Sequence, residues 1–232
     1  MEKFNISGIE ITVLKKKMKN MYLRVVPTTG AVQIRAPMDM AEEKIRDFVQ
    51  SHLDWIEKQR QRFRELPKQV AHRYQSGETF YLWGSAYTLE VMQNTLGNRV
   101  WILGQTIYLQ VREKSTLKQR AETLQDWYRE QLKEAIPAVL ARGERVVGVK
   151  AAEGHIKNMR TRWGTCNIQA KRIWLNLQLA QKSSACLEYV MTHELVHLLE
   201  RNHNAVFKAY MEQFYPQWRQ RKKELDAPLP PI

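Results

Sequence analysis

Cysteine and long apolar runs are both scarce in this sequence. The 232 residues include two cysteines, Cys166 and Cys186, and no C-x-x-C pair. This excludes a disulfide framework and a four-thiolate zinc site. No stretch of about 18 consecutive apolar residues occurs, so the sequence predicts no membrane-spanning helix and no membrane partner. The N-terminal segment lacks the basic start, apolar core and small-residue cleavage site of a secretory signal, and we therefore expect a cytoplasmic protein.

Acidic residues are scarce relative to basic ones. Asp and Glu number 24 against 37 Lys and Arg, which gives a formal net charge of +13. A positive field favours anionic partners such as nucleic acid, phosphates or acidic peptides. Basic clusters lie at residues 15–19, 58–64 and 219–223, although solvated helix faces are the alternative explanation of each. Because no basic motif of a known nucleic-acid module is visible, we expect nucleic-acid association to be weak.

One apolar stretch, MTHELVHLLERNHNAVF at residues 191–207, contains three of the chain's six histidines. His193, Glu194 and His197 spell H-E-x-x-H inside a run with helical apolar spacing. Residues i and i+4 lie on one face of a helix, so both imidazoles can reach one metal ion. Glu194 is one residue further round, where its carboxylate can meet a water on that metal without being a ligand. The pattern predicts a Zn²⁺ site; surface or core histidines without a metal are the alternative.

His203 is the best candidate for a third zinc ligand. A straight helix would carry it away from the face of the other two imidazoles, so the chain must turn before it. Residues 200–202, Glu-Arg-Asn, are the predicted turn, because asparagine tolerates the left-handed conformation that ends helices. Asn204 is then the predicted N-cap of the next helix. The competing third ligand is an acidic side chain downstream, Glu212 first.

The order of apolar patterns indicates an α+β protein. Residues 1–112 are predicted to form a β-rich N-terminal lobe with one long helix, which follows short strands and ends near residue 64. Residues 113–232 are predicted to form the metal-binding lobe, and one continuous domain is the alternative to this division. No internal repeat is visible in the sequence.

The second lobe is predicted to begin with a helix from Leu117 to about residue 142, which Gly143 terminates. Residues 145–153 and 154–163 follow as predicted strands, and residues 171–180 form another. A further helix then begins after two serines and carries the H-E-x-x-H motif. The site is therefore expected in the C-terminal half of the chain.

Two blocks of the sequence resemble the YgjP-like metallopeptidase-domain family. The block MRTRWGTC is similar to the family's Arg-Trp-Gly-Ser-Cys signature, with Thr165 in place of the usual serine. The block HELVHLLERNHNAVF is similar to its H-E-L-x-H motif, which is followed by Asn-His and a downstream phenylalanine. Further positions that match the family pattern are Arg162, Trp163, Gly164, Cys166 and Asn176.

The resemblance implies a zincin-like core, in which a small twisted sheet packs beside the H-E-x-x-H helix. It also implies zinc as the cofactor, with His193, His197 and His203 as ligands and Glu194 as the catalytic residue. The ligand spacing equals that of metzincins. However, Glu200 stands where metzincins place glycine and no Met-turn is evident, so that clan is not assigned.

The resulting hypothesis is a zinc-dependent metallohydrolase of the peptidase type. Three protein ligands leave a fourth position for water, whose pKa zinc lowers towards neutrality. Glu194 would take a proton from that water and pass it to the leaving group. Arg160 and Arg162 are two residues apart on a predicted strand and so point to the same face. They are candidate substrate-binding residues that stabilise a developing anion, although a structural ion pair would explain them equally well.

Two other functions are open from the sequence alone. A zinc-dependent nucleoside triphosphate pyrophosphatase is favoured by the net charge and by the arginine pair, since guanidinium groups suit phosphates. A basic nucleic-acid-associated protein with structural zinc is disfavoured by Glu194, since a structural site needs a closed fourth ligand and no base. The expected partner is therefore a peptide or an anionic small molecule, and the oligomeric state stays open.

Overall fold

The structure of the protein, a computed structural model, describes residues 2–26, 29–65, 72–95, 97–227, 229 and 232. The chain divides into two compact units, Met1–Gln69 and Val70–Ile232. The sequence predicted lobes at residues 1–112 and 113–232, a boundary that lies inside the second of these units. That division into lobes stays a prediction. Strands and helices are mixed along the chain, which confirms the α+β class. None of the described helices is both long and apolar enough to cross a membrane.

The first unit contains a four-stranded sheet. Its strands stand in the order β1-β2-β4-β3, with β2 and β4 parallel and the outer pairs antiparallel. Their bounds are β1 (Glu2–Ile6), β2 (Ile9–Lys16), β3 (Tyr22–Val25) and β4 (Val32–Pro37). Alternate side chains of the two central strands are buried, as a period of two requires when one sheet face covers a core. They are Ile9, Ile11, Val13, Val32, Ile34 and Ala36.

The long helix predicted to follow this sheet is interrupted, and α1 (Glu42–Gln50) and α2 (Leu53–Glu65) take its place. At the break, the N–H of His52 donates to the Val49 carbonyl rather than to the Phe48 carbonyl. The Phe48 carbonyl instead accepts from the Ser51 hydroxyl at 2.9 Å and from His52 Nδ1 at 2.8 Å. Side chains thus occupy the acceptor that a continuous helix needs, an effect that apolar spacing does not reveal.

The second unit begins with a sheet of the same strand order, β5-β6-β8-β7, in which β6 and β8 are parallel. The strands are β5 (Thr79–Leu82), β6 (Ser85–Asn94), β7 (Arg99–Leu103) and β8 (Thr106–Arg112). The topology therefore repeats although the sequence shows no repeat. The buried residues of this sheet share one hydrophobic core with the next helix, α3 (Leu117–Val147).

Helix α3 runs past the glycine that was predicted to end it. It continues to Val147, and Gly148 ends it in the left-handed conformation with φ 77°. The predicted strand at residues 145–153 is therefore wrong: residues 145–147 belong to α3, residues 148–152 are not strand, and the next strand begins only at Glu153. Gly143 is buried inside the helix, where an added Cβ would lie 2.7 Å from Leu195 Cδ1. Its lack of a side chain permits a close approach to a second helix rather than a turn.

The remaining elements surround the predicted metal site. Strands β9 (Glu153–Lys157), β10 (Gly164–Asn167) and β11 (Arg172–Asn176) form a sheet of order β10-β11-β9. β10 and β11 are antiparallel, whereas β11 and β9 are parallel. A 3-10 helix (Leu177–Gln181) follows, and then come α4 (Ser184–Val196), α5 (Ala205–Phe214) and α6 (Trp218–Asp226). This part of the second unit carries the H-E-x-x-H motif on α4.

We expect Gly143→Ala to destabilise the protein although alanine favours helices. Alanine gains roughly 1 kcal/mol of helix propensity over glycine, whereas overpacking a core costs about 1–3 kcal/mol. The net loss should be about 1 kcal/mol in the free energy of unfolding, measured by urea denaturation. The same change should cost less in a Leu195→Ala background, where the clashing methyl is gone. A more stable Gly143→Ala single variant would contradict the packing role.

Candidate active site

The H-E-x-x-H motif lies on a helix that is buried on most of its surface. The buried residues of α4 include Leu187, Val190, Met191, Leu195 and Val196. A helix that is apolar nearly all round belongs in a core, and this burial holds the backbone that carries His193 and Glu194. His197 is the residue at which α4 ends. The ring centroids of His193 and His197 are 5.0 Å apart, as residues one helical turn apart allow.

The turn predicted before His203 is present. The N–H groups of Leu199 and Glu200 donate back to the Val196 carbonyl, which ends the helix. The Glu200 carboxylate then accepts from the N–H of Asn202 at 2.9 Å. Asn202 has no positive φ, so the turn is stabilised by a side-chain acceptor and not by the predicted left-handed asparagine.

Helix α5 begins as predicted from Asn204. The side chain of this residue accepts from the N–H of Phe207 at 3.0 Å, which is the N-cap interaction. This start of α5 places Phe207 against the histidines. Its ring centroid lies 4.7–4.9 Å from those of all three, and the residue is 3% exposed. The Phe207 ring thus packs against all three imidazoles.

The three histidines meet at one point. One ring nitrogen of each of His193, His197 and His203 lies within 4.8 Å of the other two, and His193 Nε2 and His203 Nε2 are 2.9 Å apart. His197 Nδ1 donates to the Glu200 carbonyl at 3.1 Å, which leaves Nε2 of that ring as the free nitrogen. A hydrogen bond of this kind fixes the orientation of a ligating imidazole.

The surroundings of the triad favour the neutral form of two of its imidazoles, those of His193 and His203. Burial is the main cause that lowers the pKa of His193 to about 3, and the neighbouring His197, His203 and Lys222 lower it further. Burial, His197 and Lys222 also lower the pKa of His203. A metal requires the neutral imidazole. Three imidazole nitrogens that converge at one cavity form a donor set that fits zinc.

Glu194 is buried beside the triad. It is 5% exposed, and burial raises its pKa to about 8, although the Arg162 guanidinium opposes the rise. A Cβ added at Gly164 of β10 would lie 2.5 Å from Glu194 Oε1 and 2.8 Å from its Cγ. Only glycine lets the strand pass this close to Glu194. This contact explains why the Arg-Trp-Gly-Thr-Cys block has a glycine at position 164.

A cavity of about 590 Å³ opens on this cluster. Its walls come from β10 with the two residues before it and the one after it, from α4, from the turn after α4 and from α6. Cys166 of β10 is among the lining residues, and burial together with the Glu194 charge raises the pKa of its thiol to about 11. The thiol is therefore protonated at neutral pH.

The two arginines predicted to bind substrate occupy different positions. Both lie between β9 and β10, in residues 158–163, which are not a strand; the prediction that they share one strand face is wrong. Arg162 lines the cavity, whereas Arg160 is not one of its lining residues. Whether either binds substrate stays a prediction.

Asn176 explains why this segment is not a strand. The residue is 3% exposed. Its amide donates to the carbonyls of Met159 at 2.8 Å and Arg162 at 2.7 Å, and its Oδ1 accepts from the N–H of Met159 at 3.2 Å. The Asn176 side chain therefore replaces the strand partner and presents Arg162 to the cavity.

Glu212, the competing third ligand, is turned away from the triad. Its carboxylate accepts from Trp218 Nε1 at 3.0 Å and from Arg219. Sequence reasoning missed two other residues that line the cavity, Arg201 and Lys222. Lys222 belongs to the basic cluster at residues 219–223. The sequence predicts this cluster but not its position at the cavity.

Comparison with known proteins gives a family. Two solved structures resemble part of the chain: the metallopeptidase zymogens of Pyrococcus abyssi abylysin (16% identity, TM-score 0.37) and Methanocaldococcus jannaschii jannalysin (17% identity, TM-score 0.35). Each match covers 39% of this chain and 90% or 92% of the other. No curated protein matches. The family described as YgjP-like, metallopeptidase domain, matches residues 19–228. Since this range is most of the sequence, the chain belongs to the YgjP-like metallopeptidase-domain family.

Proposed function

We propose that this protein is a zinc-dependent peptidase in which His193, His197 and His203 hold the metal and Glu194 is the general base. Membership of the family indicates a hydrolase of the metallopeptidase type. The observation that supports the finer proposal is the convergence of three imidazole nitrogens within 4.8 Å, beside a buried carboxyl, at one cavity. This is the ligand set of an open catalytic zinc site.

The chemistry follows from the positions of the chain's own groups. When bound, zinc would acidify water and polarise the scissile carbonyl. Glu194 accepts a proton at a carboxylate oxygen and delivers it to the leaving amine. The Glu200 carbonyl accepts a hydrogen bond from His197 Nδ1, so that Nε2 of His197 faces the cavity. Gly164 leaves the Glu194 carboxylate the space it needs.

The other two functions that the sequence left open are less well supported. Family membership favours a peptide over a nucleoside triphosphate as the substrate. A structural zinc site needs a fourth protein ligand, and no further His, Cys, Asp or Glu joins the three histidines among the described residues. The arginine pair that favoured phosphate binding is also divided, since Arg162 lines the cavity and Arg160 does not.

The metal assignment is tested by His203→Ala. Changes at outer-shell partners of metal ligands typically cost about 10–100-fold in affinity, so removal of a ligand should weaken zinc binding by more than about 100-fold. Isothermal titration and metal analysis measure this. His155→Ala is the control, because that histidine is paired with Glu153 away from the triad, and it should keep full affinity. Equal affinities in the two variants would remove His203 from the site.

The general base is tested by Glu194→Gln. The amide keeps the shape of the side chain and cannot accept the proton, so kcat should fall by about 10²–10⁴-fold while zinc content stays stoichiometric. Glu188→Gln on the same helix is the matched control, because Glu188 is paired with Arg142. Near-normal peptide turnover by Glu194→Gln would show that another group takes the proton.

The close contact at Gly164 is tested by Gly164→Ala. The added methyl displaces the Glu194 carboxylate, and a misplacement of about 1 Å can cost 10²-fold in rate. We expect a fall of about 10–100-fold in kcat with zinc affinity unchanged. Gly154→Ala on β9 of the same sheet is the control, since its Cβ would meet Ile136 Cγ2 at 3.4 Å. If both variants keep wild-type kcat, the Gly164 contact does not position Glu194.

A further inference from the structure

Three cationic side chains, Arg162, Arg201 and Lys222, line the cavity that holds the histidine triad. They come from separate parts of the chain: the segment between β9 and β10, the turn after α4, and helix α6. Among the residues that the structure describes, none of the three has a carboxylate oxygen within ion-pair distance. By contrast, the two arginines of α6, Arg219 and Arg221, each have a glutamate partner.

These cations do not help to hold a metal. Like charges repel, so each of them opposes the binding of a cation to the triad. Two acidic residues, Glu194 and Asp226, also line the cavity, and they supply at most two negative charges against three positive ones. Glu194 is buried against Gly164 and its carboxyl interacts with the Arg162 guanidinium, whereas the charge of Asp226 acts on Lys182 and Tyr189. The cavity therefore keeps an excess of positive charge that suits an anionic ligand.

We propose that Arg162, Arg201 and Lys222 form an anion-binding rim that selects peptides with a carboxylate near the scissile bond. The proposal rests on the peptidase function proposed above and names its substrate class. Arginine binds a carboxylate through two parallel hydrogen bonds, and lysine adds a compact charge. The cavity of about 590 Å³ lies within the range of about 300–1,000 Å³ that is usual for ligand sites.

An acidic side chain and a free C-terminal carboxylate present the same group, and paired peptides separate them. One set has C-terminal amides and carries Glu or Gln at each position around the cleaved bond. A second set keeps Gln and differs only in a free or amidated C-terminus. We expect the zinc-loaded protein to prefer one carboxylate peptide over its neutral partner by at least about fivefold in kcat/KM, which is the size of a favourable exposed ion pair.

The matched variants are Lys222→Gln and Lys223→Gln. Both remove one positive charge from α6, but Lys223 is not a lining residue of the cavity. Lys222→Gln should lose most of the preference for the carboxylate peptide over its neutral partner, and Arg201→Gln should behave in the same way. Lys223→Gln should keep the preference. Salt should reduce the preference, because the Debye length shortens from about 10 Å at 0.1 M to about 3 Å at 1 M.

Binding to the zinc-loaded Glu194→Gln variant separates this proposal from the peptidase proposal. Tighter binding of the carboxylate peptide, lost with Lys222→Gln and kept with Lys223→Gln, supports the rim even if no peptide is cleaved. Equal binding of charged and neutral peptides overturns the rim. Cleavage of both peptides at equal kcat/KM also overturns it and leaves the peptidase function standing. Equal effects of the two lysine variants would show that only net charge matters, which also overturns it.

Discussion

Close packing around helix α4 is the constraint on which the site depends. Two residues adjacent in its sequence are each met by a glycine of another element. Gly143 of α3 approaches Leu195, and Gly164 of β10 approaches Glu194. In a close-packed interior a single extra methyl group destabilises the fold or displaces its neighbours. The helix is therefore confined from two directions, and the position of Glu194 follows from packing rather than from a hydrogen bond of its own.

Polar side chains perform the corresponding task for the irregular segments. Asn176 holds the chain between β9 and β10, and Glu200 holds the turn that brings His203 to the other histidines. Both side chains form hydrogen bonds with backbone groups that have no partner in a strand or helix. The site thus joins a rigid helix to two loops whose shapes depend on one side chain each.

The sequence was sufficient for the α+β class, the histidine cluster and the N-cap at Asn204, because each depends on local spacing or local hydrogen bonds. It failed where a distant contact decides the local structure. Gly143 ends no helix, because α4 lies against it, and the segment that Asn176 holds is not a strand. It also failed at Ser51, whose side chain competes with the helix for a carbonyl. Lys222 reaches the site only through the fold, so spacing in sequence does not reveal it.

The two four-stranded sheets have the same strand order. In each, two antiparallel hairpins lie side by side and their inner strands pair in parallel. Each sheet is made from one contiguous segment, residues 2–37 and residues 79–112, so its contacts are local in sequence. Segments with local contacts order early, and the N-terminal parts of a chain fold first during synthesis. The residues around the cavity lie between positions 162 and 226. The ribosome therefore releases both sheets before the last lining residue, Asp226, and the cavity is complete only after that residue has emerged.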